Sequence, residues 1–217
     1  MRRHIRSAAL SAALVAAVVT PALAGPPLLC HPYDIGDARS LQWNDSQGWS
    51  GDRPDYDVRQ LIADTEALLT PATPVIVRME TLRRASLYAS RDRAIASQLL
   101  SRLVSRADAA DARSTPDALA LLDAAYVAGA YRQIAMLGNE SHFRARAAAA
   151  RDALGDVDAP ALIERSIAMR PDDPSLQFAA ALITSDRDQR AYLQHAEKAR
   201  KGATKDALLA RNINHVQ

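Results

Sequence analysis

Cys30 and His31 stand side by side and are the only adjacent pair in the chain with obvious chemistry. A thiolate can serve as nucleophile, metal ligand or redox centre. Each role asks for more than the pair. Covalent haem attachment needs C-x-x-C-H, and Cys30 is the only cysteine, which also excludes an intrachain disulfide. A nucleophilic cysteine needs a base and an orienting group, and a histidine next in sequence points away from it. A zinc or copper site would have to recruit His142, His195 or His215, none of which sits at ligand spacing. Three readings follow: a buried structural cysteine, a reactive or intermolecularly bonded thiol, or a ligand pair. Burial of Cys30 against Leu28 and Leu29 separates them.

A second group is acidic. Asp34, Asp37, Asp45, Asp52, Asp55 and Asp57 face only Arg39 and Arg53 within residues 34–57. Calcium needs several oxygens converging on a tight turn, and N-D-S-Q-G-W-S-G-D at residues 44–52 lacks the alternating acidic loop. The simpler expectation is that these aspartates cap turns and helices and pair with arginines. The same stretch carries both tryptophans, Trp43 and Trp49. They either cover the apolar edge of the first helices, as an end cap must in a helical array, or line a partner groove, where tryptophan is enriched. The third group is Arg78, Arg83, Arg84, Arg91 and Arg93. It reads as a solvated helix face or, functionally, as a row recognising carboxylates through the guanidinium fork. Candidate partner-binding residues are therefore Trp43, Trp49, Arg83 and Arg84, with Cys30 and His31 as a reactive or ligand pair. Gly-rich phosphate loops, H-E-x-x-H and G-x-S-x-G are all missing from the sequence, so no catalytic residue, cofactor or metal is assigned.

Residues 1–24 read as a targeting segment. Arg2, Arg3 and Arg6 form a basic region, residues 8–19 an apolar run, and Ala22-Leu23-Ala24 a small-residue cleavage pattern. The apolar run is shorter than the ~20 residues of a spanning helix. Export to the periplasm or outside the cell is expected, with no stable membrane insertion after cleavage. Of 27 basic residues three leave with this segment, so 24 face 25 acidic ones. The overall basicity was a property of the leader, and nucleic acid loses its compositional support as a partner.

Three domains of organisation follow: residues 1–24 as signal peptide, an irregular Pro-, Gly- and Trp-containing segment at 25–57 with one helical turn expected near 37–41, and a helical domain at 58–217. Val58, Leu61, Ile62, Thr65, Leu68 and Leu69 form the first apolar stripe, stopped by Thr70-Pro71. Residues 74–108 read as two amphipathic helices with Asp92 capping the second, or alternatively as one long helix. In the first of them Arg78, Glu80, Arg83 and Arg84 are expected to face away from the core, and the two should pack as an antiparallel hairpin. Thr115-Pro116-Asp117 restarts a helix in which Gly129 either breaks the chain or admits a close neighbour.

Residues 161–184, ALIERSIAMRPDDPSLQFAAALIT, resemble the junction between successive tetratricopeptide repeats: Pro171 and Pro174 stand where a proline ends one repeat, and Ala179, Ala180 and Ala181 where small residues open the next. The resemblance implies an all-α fold of antiparallel helical hairpins stacked as a short tetratricopeptide-like array. Residues 28–36, LLCHPYDIG, resemble a group of exported bacterial proteins to which no function is assigned. Fold-level analogy then implies a non-catalytic module binding a protein or peptide; the alternative is a periplasmic protein holding a small molecule or metal through Cys30 and His31.

Overall fold

The computed structural model describes residues 25–216; the expected signal segment lies outside them. Among the described residues the chain is all-α, with helices α1 (Leu61–Leu68), α2 (Val75–Ala89), α3 (Arg93–Ala112), α4 (Ala118–Met136), α5 (Arg144–Leu154), α6 (Ala159–Met169), α7 (Pro174–Thr184), α8 (Gln189–Gly202) and α9 (Ala207–Asn212). Aspartate opens most of them. The carboxylates of Asp92, Asp117, Asp158, Asp173, Asp188 and Asp206 each accept from backbone N–H groups in the following turn. Such caps satisfy donors that have no intrahelical partner and are worth about 1 kcal/mol each. Proline follows the cap in α6 and α7, where the missing N–H costs nothing.

The helix at the centre is α4. Its buried residues cover every face, from Ala118 to Ile134, and it packs against α2, α3, α5, α6 and α7. Eight of its residues are alanine or glycine, so neighbours approach closely from all sides. Gly129 lies inside this helix and does not break it. A Cβ there would sit 2.9 Å from Leu28 Cδ1 and 3.6 Å from Ile183 Cγ1, so the glycine admits both the N-terminal segment and α7. Gly129→Ala is expected to destabilise by about 1 kcal/mol, since overpacking of roughly 1–3 kcal/mol outweighs a gain of up to about 1 in helix propensity. Urea unfolding at constant m-value measures it.

Residues 74–108 do form two helices, with Asp92 accepting from the N–H groups of Ala94 and Ile95. Their packing differs from a simple hairpin: α2 and α3 share few contacts, while α3 lies mainly on α4 and α5 and α2 on α4 and α1. Residue size contributes, since the alanines of α4 let both helices approach it closely. The most extensive pairing is α7 with α8.

Residues 25–57 contain no α-helix; the turn expected at 37–41 is absent, and a pair of tight turns forms at Asp45–Ser50 instead, capped by Asn44. The segment runs over α2 and reaches α4. Leu28, Leu29, Tyr33 and Leu41 are buried in the main core, so it belongs to the same hydrophobic unit as the helices.

Candidate functional site

The segment 25–57 is fastened by α2 through one buried charged node. Glu80 and Arg83 are both 0% exposed. The Arg83 guanidinium grips Glu80 as a fork, Nε donating to Oε2 at 2.7 Å and Nη2 to Oε1 at 2.8 Å. Arg84 Nε donates to Oε1 at 2.6 Å, and the Tyr33 backbone N–H donates to Oε2 at 3.1 Å. Four donors thus converge on one carboxylate. Burial alone would raise its pKa, but Arg83 and Arg84 outweigh burial and hold it below the ordinary glutamate value. Both arginines then reach the segment's backbone: Arg83 Nη1 donates to the carbonyls of Leu29 and Trp49, and Arg84 Nη1 to that of Leu41.

Further fasteners flank the node. The Tyr126 hydroxyl donates to the Leu28 carbonyl at 2.8 Å, Gln133 Oε1 accepts the Leu28 N–H at 2.8 Å, and Tyr88 donates to the Gln42 carbonyl at 2.7 Å. Asp52, nearly buried, is held by Arg91 and, at 2.8 Å, by Arg146 from α5. Asp55 and Asp57 pair with Arg53 and Arg59, so several aspartates of the acidic stretch are engaged by arginines.

These contacts revise the sequence-based placement of the charged residues on α2. Arg78, Glu80 and Arg83 face inward, and Arg84 is only partly exposed. For Glu80, Arg83 and Arg84 the physical reason is that residues 25–57 cover the face of α2 that would otherwise meet water, which leaves Arg83 without an open face for a partner. Arg78 instead turns toward Asp123 of α4 and the Leu69 carbonyl. Trp43 lies over both guanidiniums, 4.8 Å from that of Arg83 and 5.6 Å from that of Arg84, and edge-on to Tyr88. Trp49 stacks on Phe143 at 5.4 Å. Both tryptophans are half-buried and pack against the core. The signal for this in the sequence is Val75-Ile76-Val77, an apolar run covering more than one face, followed by a glutamate with arginines three and four residues on.

Cys30 is half-buried, its Sγ against Gly25. Burial raises its thiol pKa and Arg83 offsets this in part, the direction of a less reactive thiol. His31 meets His215 at 5.9 Å between ring centroids. The His215 pKa falls to about 4, through burial first and His31 second. His142 is exposed beside Phe143, and His195 bonds Gln177 and Glu164, so neither joins this pair. Among the described residues no three His, Cys, Asp or Glu side chains converge as a metal-holding group.

A cleft that the sequence did not point to opens where the turn before α2, the start of α4 and the end of α6 meet. It encloses about 530 Å³ and is lined by Leu69, Arg78, Arg106, Pro116, Met169 and Arg170 among others. Arg78 forms its floor, 2% exposed, with Nε 3.6 Å from Asp123 Oδ1. Arg106 also pairs with Asp123. The hydrogen-bonding capacity here is only partly used: Arg78 Nε and Nη1, Arg106 Nε and Asp123 Oδ1 are buried with no hydrogen-bond partner among the described residues. Burial outweighs the pull of Arg78 and Arg106 on Asp123 and raises its pKa to about 6. Burial likewise lowers the pKa of Arg78. No helix among the described residues is long and apolar enough to cross a membrane. No family model matches this chain, and neither curated proteins nor solved structures give a significant match.

Proposed function

We propose that this protein is an exported, non-catalytic binding module whose partner is a protein or peptide, and that the partner engages the cleft between the turn before α2, α4 and α6. The observation that carries the reading is the contrast between two sets of arginines. Arg83 and Arg84 are consumed by the chain's own segment, whereas Arg78 and Arg106 keep unused donors beside an open cleft. Buried polar groups without a partner in the chain are rare, and each calls for a water, an ion or a ligand group to meet it. Met169, 38% exposed, adds an apolar contact on the rim, and a few polar groups set in an apolar wall are the usual make-up of a binding site. Export rests on the basic, apolar and small-residue pattern of residues 1–24.

Peptide display against the purified protein tests this. Peptides with a shared pattern should be enriched, and Met169→Asp should remove their binding while leaving the melting temperature unchanged. A selection that enriches nothing, combined with tight binding of a metal ion at Cys30 and His31, would overturn it in favour of the ligand-holding alternative.

A further inference from the structure

We infer that the cleft contains a carboxylate subsite: Arg78, Arg106 and Arg170 receive the single carboxylate of an organic acid whose apolar body lies against Leu69, Pro116 and Met169. The inference rests on the binding-module reading, in that the acid would be the recognised end of the partner.

Charge decides the class of anion. Three arginines meet at the cleft, with Asp117 at its rim and Asp123 behind Arg78 and Arg106. The balance leaves one positive charge, which suits a monoanion. Geometry decides the position. Arg78 is almost wholly buried, yet its contact with Asp123 is a loose 3.6 Å, its Nη2 reaches the Leu69 carbonyl only at 3.4 Å, and its Nη1 has no hydrogen-bond partner among the described residues. Guanidinium and carboxylate form paired, charge-assisted hydrogen bonds that Asp123 does not provide to Arg78 in this arrangement. Arg170, exposed just past the end of α6, also lines the cleft and lies close enough to Arg78 to act on it electrostatically. Apart from Thr115 and Asp117 the rest of the wall is apolar, with Leu69, Pro71, Pro116 and Met169 offering a surface for a body of carbon beyond the carboxylate.

The test is titration of the purified protein with hexanoate, followed through the backbone amide signals of Ala118 and Leu119, which line the cleft. A dissociation constant on the order of 1 mM is expected for so small a probe. Hexanamide and inorganic phosphate should leave these signals unchanged at the same concentrations. Arg170→Glu, an exposed position that keeps the fold, should weaken hexanoate at least about tenfold, the effect of reversing one charge-assisted contact. Asp123→Asn, which removes the competing charge, should strengthen it by roughly three- to tenfold. No response to hexanoate, or an equal response to hexanamide or phosphate, overturns the inference. N-acetyl-leucine against its amide separates a peptide terminus from a free acid as the source of the carboxylate. If displayed peptides bind but hexanoate does not displace them, the subsite fails and the module stands. If hexanoate binds and no peptide does, the subsite stands and the peptide reading fails.

Discussion

Glu80→Ala is expected to cost about 3–5 kcal/mol, the range for removing one partner of a buried ion pair and leaving the other charge uncompensated. Against a typical total of about 5–15 kcal/mol this is a large share of the fold's stability. The loss would come from Arg83, which is wholly buried and has Glu80 as its only salt-bridge partner among the described residues. The Tyr33 N–H loses its acceptor as well. If stranded charge is the cause, Glu80→Ala combined with Arg83→Met must lose less than Glu80→Ala alone, and urea titrations of the two variants measure the difference. The pH dependence has a definite sign. Because the folded pKa of Glu80 lies below the ordinary glutamate value, its contribution is present above about pH 4.3 and is lost as pH falls through the folded pKa. The variants should therefore lack that part of the wild type's acid sensitivity.

Asp123→Asn should behave in the opposite way, though Asp123 too is a buried carboxylate between two arginines. Glu80 accepts from four donors; the side chain of Asp123 accepts one hydrogen bond, from Arg106, and its other oxygen has only the loose approach of Arg78. Poor geometry leaves burial as the larger effect, and the pKa rises to about 6. A raised carboxyl pKa contributes stability fully below the unfolded value near 3.9 and loses it as pH rises through about 6. Over two pKa units, ionisation of Asp123 costs the fold about 2–3 kcal/mol at pH 7. The amide resembles the protonated acid in shape, so Asp123→Asn should be as stable as wild type at pH 4 and more stable by up to about that amount at pH 7. Melting temperatures at the two pH values check it. Stability sacrificed at a site with unused donors is what a binding cleft is expected to show.

Much of the helical frame was legible because local rules dictate it. Asp92 announced its helix through a short side chain able to accept from the next turn, whereas the start read at Thr115-Pro116 falls two residues early, since Asp117 is the cap. Tertiary placement was less legible. Helical periodicity assigns one buried stripe, but α2 is covered on both sides, by α4 and by residues 25–57, so charged positions that a one-sided helix would expose became internal. Pro74 stands at the cap, one residue before the helix it was expected to begin. The cleft was illegible for a related reason. Arg78, Arg106 and Arg170 are spread over almost a hundred residues, and only the meeting of α2, α3 and the end of α6 near α4 brings them together. Gly129 was ambiguous because sequence does not tell a break from a close approach, whereas the nearness of Leu28 and Ile183 does.

Residues 25–57 are locked onto α2 and α4 as part of the fold. Amide hydrogen exchange at Leu28 and Tyr33 tests it most directly, because their N–H groups donate to Gln133 and to Glu80. If the segment is locked, both amides exchange only through global opening, with the same free energy as Tyr126 and Ala128 in the middle of α4. If they exchange freely while α4 stays protected, the segment lifts from the helices and the claim is contradicted.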